Sequence, residues 1–265
     1  MRIAVCMKQV PATSEGDMDK ETGMLKRAGL EAIVNTYDLA ALEAALRLKE
    51  QTGAQIHVFT MGPEKAEAVL RTAYAMGADM GYLICGKEFA GSDVLATSYT
   101  LMQAIESVGK FDVILCGRQT TDGDTAQVSG ALARWMNMPH FNWVKRIELK
   151  DNERFKISYC MEQREVEAEV QLSCLLSVER EAFIPRMPSL KLKISGKKKP
   201  IGRISLEDFK NTDVKDYGLS GSATKVKRIF PPKRTEKKEI VSLDKKMSAD
   251  YIMKALGSCI QEGLQ

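Results

Sequence analysis

The sequence is poor in the side chains that most often carry acid–base and metal chemistry. His57 and His140 are the only two imidazoles in 265 residues, and neither sits in an HExxH or similar ligand spacing. Metal catalysis through histidine is excluded on that count. The six cysteines are Cys6, Cys85, Cys116, Cys160, Cys174 and Cys259; none forms a CxxC pair and four lie in apolar, strand-like runs. They are expected as buried free thiols, not as a disulfide framework or a zinc site. Aromatic residues make up 6%, and no apolar run reaches the ~20 residues that span a bilayer. The opening MRIAVCMKQV reads as a strand and lacks the basic, apolar, small-residue order of a signal peptide. A cytoplasmic protein without membrane contact is expected.

What is present is ordinary for a soluble globular chain: 44% hydrophobic and 28% charged residues. Methionine (14) is plentiful, so it is expected to fill an otherwise aliphatic interior. The net charge of +4 is unevenly spread. Residues 185–240 hold sixteen Lys/Arg against six Asp/Glu, a local +10 that leaves −6 for the rest. Such a segment suits an acidic partner, nucleic acid or a solvated surface. Aromatic residues do not interleave with its charges as nucleic-acid stacking requires, so a nucleic-acid partner is not expected.

The first 140 residues alternate. IAVCMKQV (3–10), QIHVFTMG (55–62), GYLICG (81–86) and DVILCG (112–117) are short apolar runs. Between them lie helical patterns: DLAALEAALRLKEQTG, with Asp38 as expected N-cap and Gly53 closing it; EKAEAVLRTAYAMGAD; and a third opening at Ser92 and closing near Gly109. This predicts an α/β fold: a doubly wound, mostly parallel, Rossmann-like sheet covered on both faces. Ligands of such sheets bind along the strand C-termini. The loops expected there are Lys8–Thr13, Thr60–Pro63, Gly86–Asp93 and Gly117–Gln127, with VNTYD (34–38) nearby. After Met138, RFKISYCME and REVEAEVQL read as a hairpin added at the sheet edge. From Pro185 periodicity is lost, and a final helix is expected with Ser248 as its N-cap. Two parts are therefore predicted: residues 1–184 as the α/β domain, and 185–265 as an arm and helix lying across a partner.

The stretch GRQTTDGDTAQVSG (117–130), between an apolar run and a helical one, admits several readings. Asp122 and Asp124 lack the further oxygen ligands of a calcium loop. Ala126 breaks the DxDxT pattern of aspartate-nucleophile phosphatases, and no GxxxxGK[ST] is present. A helix starting near Asp124–Thr125 would present free amides and a positive dipole end to a phosphate, with Thr125 and Gln127 as added donors. A plain capped turn remains equally open from these residues alone.

Several separated blocks coincide with one family. KQVP, VNTYDLAALEAALRLKE, TMGPEKAEAVLRTAYAMGAD, FAGSDVLATS, GRQTTDGDTAQVSG, PRMPSLK…KKKPI and GLSGSATKVKRIF together resemble the beta subunit of electron-transfer flavoproteins, in order and almost end to end. The resemblance implies an adenine-nucleotide-binding fold and a heterodimer with an alpha subunit that carries its own FAD. The chain resembles members of the bifurcating, NADH-linked type, which hold FAD in the beta pocket, more than those that hold AMP there; Gly123 and Ala126 stand where the AMP type tends to have Asp and Asn. Such members take a hydride from NADH. One electron goes to ferredoxin or flavodoxin, and the other goes through the alpha-subunit FAD to a dehydrogenase, with an acyl-CoA type favoured.

Carried over residue by residue, the resemblance implies a cofactor pocket of Cys6, Asn35, Thr36, Tyr37, Asp38, Met61, Gly117, Arg118, Gln119, Thr120, Thr121, Asp122, Gly123, Asp124, Thr125, Ala126, Gln127 and Val128. The last four would meet phosphates, and Asn35 and Asp122 the ribose or adenine. Phe89, Gly91, Ser92 and Asp93 would lie on the NADH side, and Leu190 would dock the dehydrogenase. The chain departs from many members at Ala12 (Asp) and Val94 (Thr), and EREAFI lacks the Asn-Glu pair of the AMP type. A stand-alone ATP-binding regulator of the universal-stress type is the alternative from another class.

Overall fold

The computed structural model describes residues 1–12, 32–151, 153–162, 164–226, 242 and 244–262. Its elements follow the expected alternation. Strand β1 (Arg2–Cys6) is followed by the short pair β2 (Gln9–Pro11) and β3 (Ala32–Val34), then helix α1 (Thr36–Thr52) and β4 (Gln55–Met61). Next come α2 (Glu67–Met76), β5 (Met80–Ile84), α3 (Val94–Val108), β6 (Val113–Gly117) and α4 (Val128–Trp135). A hairpin region follows: β7 (His140–Leu149), β8 (Arg154–Met161), β9 (Arg164–Gln171) and β10 (Cys174–Val178). The chain continues through α5 (Leu190–Gly196), β11 (Gly202–Ile204) and the single turn α6 (Gly218–Gly221); α7 (Lys245–Glu262) is the last element.

Among the described residues the main sheet has nine strands in the order β11-β5-β4-β1-β6-β10-β7-β8-β9. All neighbours from β11 to β7 run parallel, and β8 and β9 add an antiparallel edge. The central strands are buried on both faces, which is why they read as unbroken apolar runs. Ile3, Val5, Val113 and Leu115 point into a core under α1 and α2. Ala4, Cys6, Ile114 and Cys116 point into the opposite core under α3 and α4. Order along the sheet reverses between β1 and β6: the chain winds outward through β4 and β5, then returns to β6. A crevice opens at the strand C-termini at such a reversal.

The helix ends correct three expected caps. Asn35, not Asp38, occupies the N-cap of α1, while Gly53 closes it in the left-handed region (φ 68°) with its amide on Lys49 O, as expected. Asp93, not Ser92, caps α3 by accepting from Ala96 N at 3.1 Å. Helix α7 begins at Lys245, before Ser248, with Asp244 Oδ1 accepting from Met247 N.

The chain divides into two units, Met1–Arg228 and Ile229–Gln265. The boundary expected after residue 184 differs from this division for a physical reason. Strand β11 pairs with β5, and α5 packs on α2, so residues 185–226 complete the first unit. The run ATKVKRIFPP (223–232) reads as strand-like in the sequence; residues 223–226 form no strand and the rest lies outside the described residues. None of the helices among the described residues is long and apolar enough to cross a membrane.

Candidate nucleotide site

Three chain segments meet at the reversal point. Cys6 lies beside Cys116 in the parallel β1–β6 register, so the segment after β1 and the loop after β6 leave the sheet side by side. The start of α1 closes over them. Gly117 fits this crossing because it has no side chain: a Cβ there would lie 2.5 Å from Asp38 Oδ1 and 2.6 Å from the Tyr37 carbonyl carbon.

The polar side chains of the crossing are spent on one another. Asn35 is fully buried; its Nδ2 donates to Gln119 O (2.8 Å) and its Oδ1 accepts from Thr121 N (3.3 Å). Its own amide donates to Lys8 O (3.0 Å). Asp38 accepts from Lys8 N at 2.8 Å, and burial pushes its carboxyl up to about 7 against the opposing pull of that amide and the Asn35 side chain. Lys8 Nζ lies 2.8 Å from both oxygens of Asp122. Burial alone would raise the Asp122 carboxyl, but the Lys8 ammonium outweighs it and the net shift is downward. Gln119 Nε2 donates to Asp124 Oδ1. Asn35 and Asp122, expected at the ribose or adenine, thus shape the loop itself, and both are engaged internally.

What the loop leaves free is its backbone. Asp124 (φ 52°) and Ala126 (φ 53°) both take the left-handed conformation that non-glycine residues seldom adopt. The amides of Thr125, Ala126, Gln127 and Val128 find no acceptor among the described residues. Helix α4 begins only at Val128, three residues later than the sequence pattern suggests, because the left-handed pair holds the chain out of helix. Ser129 Oγ, in its first turn, is buried without a hydrogen-bond partner, as is Thr36 Oγ1 in the first turn of α1. Free amides at a helix start and orphaned hydroxyls nearby fit a phosphate group. Among the described residues no cluster of His, Cys, Asp or Glu is arranged to hold a metal ion.

On one flank of the crevice Arg118 and Tyr37, both expected in the pocket, meet Glu179, Trp143 and Arg180, which the sequence did not single out. Arg118 Nη1 donates to Glu179 Oε1 (2.7 Å), and its guanidinium lies 4.5 Å over the Trp143 ring. Arg180 stands 5.5 Å over Tyr37. Glu179 and Arg180 directly follow β10, so the rule that ligands meet strand C-termini would have found them. Met61 ends β4 beside β1 and is half-buried. Thr120 is half-buried and Thr121 and Gly123 are exposed along the loop.

The four residues expected on the NADH side divide. Phe89 is a core residue, 4% exposed, with its ring against Phe209 and Tyr217, so it is not available to a ligand. Asp93 is likewise committed: its oxygens accept from Ala96 N, Thr224 N and Thr224 Oγ1. Ser92 Oγ donates to Phe89 O. Gly91, exposed and left-handed at φ 74°, remains at the surface. Leu190 opens α5 and is 73% exposed. A cavity of ≈ 450 Å³ lined by Met1, Asp112 and Ser173 lies at the opposite, N-terminal end of the strands, away from the free amides.

The model of the electron transfer flavoprotein domain matches residues 22–209. The electron transfer flavoprotein subunit beta of Thermoanaerobacterium thermosaccharolyticum is 36% identical over 258 residues, covering 97% of this chain and 98% of the relative. The chain belongs to the electron-transfer flavoprotein beta-subunit family. Other relatives of this family extend the comparison. The caffeyl-CoA reductase-Etf complex subunit CarD of Acetobacterium woodii is 41% identical over 233 residues, 88% of each chain. The acryloyl-CoA reductase electron transfer subunit gamma of Anaerotignum propionicum is 37% identical over 263 residues, 97% of this chain and 98% of the relative. Family membership sets aside the stand-alone regulator reading.

Proposed function

We propose that this chain is the nucleotide-binding subunit of a heterodimeric, bifurcating electron-transfer flavoprotein, with FAD in the crevice between β1 and β6. The observation that carries the reading is the run of unpaired amides from Thr125 to Val128, set behind two left-handed residues at the strand-order reversal. Those amides and Ser129 would hold phosphate. The exposed Gly123 and the half-buried, small Ala126 leave room beside it for a bulkier dinucleotide. Bound FAD would accept a hydride from NADH and release the electrons singly. The protein's part is to bind, orient and shield.

An alpha subunit with its own FAD completes the heterodimer. One electron passes to ferredoxin or flavodoxin, and the other passes through the alpha subunit to a flavin-dependent dehydrogenase. The relatives named for caffeyl-CoA and acryloyl-CoA reductases favour an acyl-CoA type. The exposed Leu190 is the docking anchor, as a small transient interface rests on one or two apolar side chains. A cofactor count on the purified heterodimer, with NADH titration, tests the reading. Two FAD and bleaching by NADH are expected; one FAD with one AMP overturns it in favour of simple electron relay.

A further inference from the structure

Residues 186–199 present their apolar side chains to solvent yet are tied down along their backbone. Met187 (87% exposed), Leu190 (73%) and Ile194 (61%) point outward, and Leu190 and Ile194 share a helix face. Lys191, Lys193, Lys197 and Lys198 surround them, all exposed. A helix of seven residues has little stability of its own, since nucleation is costly. Its order must come from elsewhere.

It comes from two arginine-centred ties. At the start of the segment, Arg186 donates from Nε to Glu43 Oε2 (2.8 Å), from Nη2 to Glu43 Oε1 (3.1 Å) and from Nη1 to Glu50 Oε1 (2.5 Å). Glu43 sits buried on α1, and its carboxyl is held below the ordinary range: burial acts against this, and Arg186 and Arg47 outweigh it. At the end, Arg71 of α2 donates from Nη1 to the carbonyls of Gly196 (2.9 Å), Lys197 (3.3 Å) and Lys199 (2.8 Å). Glu67 orients that guanidinium through Nε and Nη2. Carbonyls at a helix C-terminus lack partners within the helix, and a cation there satisfies and stabilises them. Between the ties, Ser189 N donates to Ala75 O (2.9 Å).

We propose that Arg71 and Glu43 are positioning residues for docking: they hold residues 186–199 in the shape that presents Leu190 and Ile194 to an apolar pocket with an acidic rim on the partner dehydrogenase. This rests on the docking role given to Leu190 above. The lysine fringe supplies the charge complementarity, and the ties remove the ordering cost that a loose loop would incur on binding.

The test uses the full heterodimer and an acyl-CoA dehydrogenase that turns over with the unaltered protein. Arg71→Ala is expected to raise the KM for the dehydrogenase about tenfold with kcat retained, and to speed hydrogen–deuterium exchange in residues 190–199. Glu43→Gln, which keeps the side-chain volume, should act in the same direction from the other tie. The double variant Arg71→Ala/Leu190→Ala should show less than the sum of the single effects, because both act on one contact. A Leu190→Ala effect on KM with both Arg71→Ala and Glu43→Gln indistinguishable from the unaltered protein overturns the positioning role and leaves the docking role standing. No effect of Leu190→Ala overturns the docking role itself.

Discussion

The two proposed binding regions of this protein are built in opposite ways. At the crevice the side chains of Asn35, Asp122 and Gln119 are consumed internally, and the backbone amides of residues 125–128 are free among the described residues. In residues 186–199 the backbone is tied by Arg71 and by Ala75 O, and the apolar side chains are free. Backbone amides suit a phosphate, which is the same in every nucleotide and needs only positive dipoles at fixed positions. Exposed apolar side chains suit a protein surface, where burial supplies the affinity and shape the selectivity. The contrast implies that removing an exposed hydroxyl such as that of Thr125 costs the crevice little, while a change in its backbone path costs much. Residues 186–199 should instead lose affinity when an exposed apolar side chain such as Leu190 is truncated.

The largest effect should come from Gly117→Ala. The added Cβ meets Asp38 and the Tyr37 backbone, so a loss of roughly 5 kcal/mol or outright misfolding is expected, read as thermal denaturation and loss of bound nucleotide. A stable, nucleotide-bearing Gly117→Ala protein would break the comparison.

Next is Asp38, whose carboxyl titrates near 7 in the folded protein against an ordinary value of 3.8. A raised pKa means that the folded state keeps its proton while the unfolded state has lost it. Stability is therefore highest below pH 4 as far as this group is concerned, and falls as pH rises from about 4 to about 7, by on the order of 3 to 4 kcal/mol in all. Asp38→Asn should flatten that part of the stability–pH curve, measured by urea denaturation across the range. An unchanged slope would mean the carboxylate is not strained by burial.

Leu190→Ala should raise the KM for the dehydrogenase about tenfold without changing the melting temperature, since the side chain is exposed. Loss of bound flavin instead would make it a structural residue. The smallest effect belongs to Thr125→Ala. If the amides hold the phosphate, nucleotide affinity should change less than about twofold on removing the hydroxyl. A tenfold loss would show that side chains, not backbone, carry the site.

Much of this architecture was readable from residues alone. Alternating apolar runs and amphipathic helices specify a parallel sheet, and the strand-end rule places the loop 117–127 and VNTYD near one another. The sheet-edge hairpin was equally plain in its period-two pattern, and β8 and β9 stand at that edge. Two differences between expectation and structure have separate causes. Asp38 looked like a cap because Asp commonly caps helices, but Asn35, one residue before α1, took the position and left Asp38 buried against Lys8. The resemblance implies Phe89 on the NADH side, whereas long-range packing on Phe209 and Tyr217 holds its ring in the core.

Local chemistry and periodicity, which the sequence carries within short windows, determined the elements, their order, the sheet class and the loops at the ligand edge. Tertiary contacts between residues far apart in the chain decided much of the rest. The Lys8–Asp122 pair spans 114 positions and the Arg71–Lys199 tie spans 128. Whether a polar side chain faces a ligand or a neighbour is settled by such partners, because a buried donor or acceptor must be satisfied by whatever the fold brings within reach.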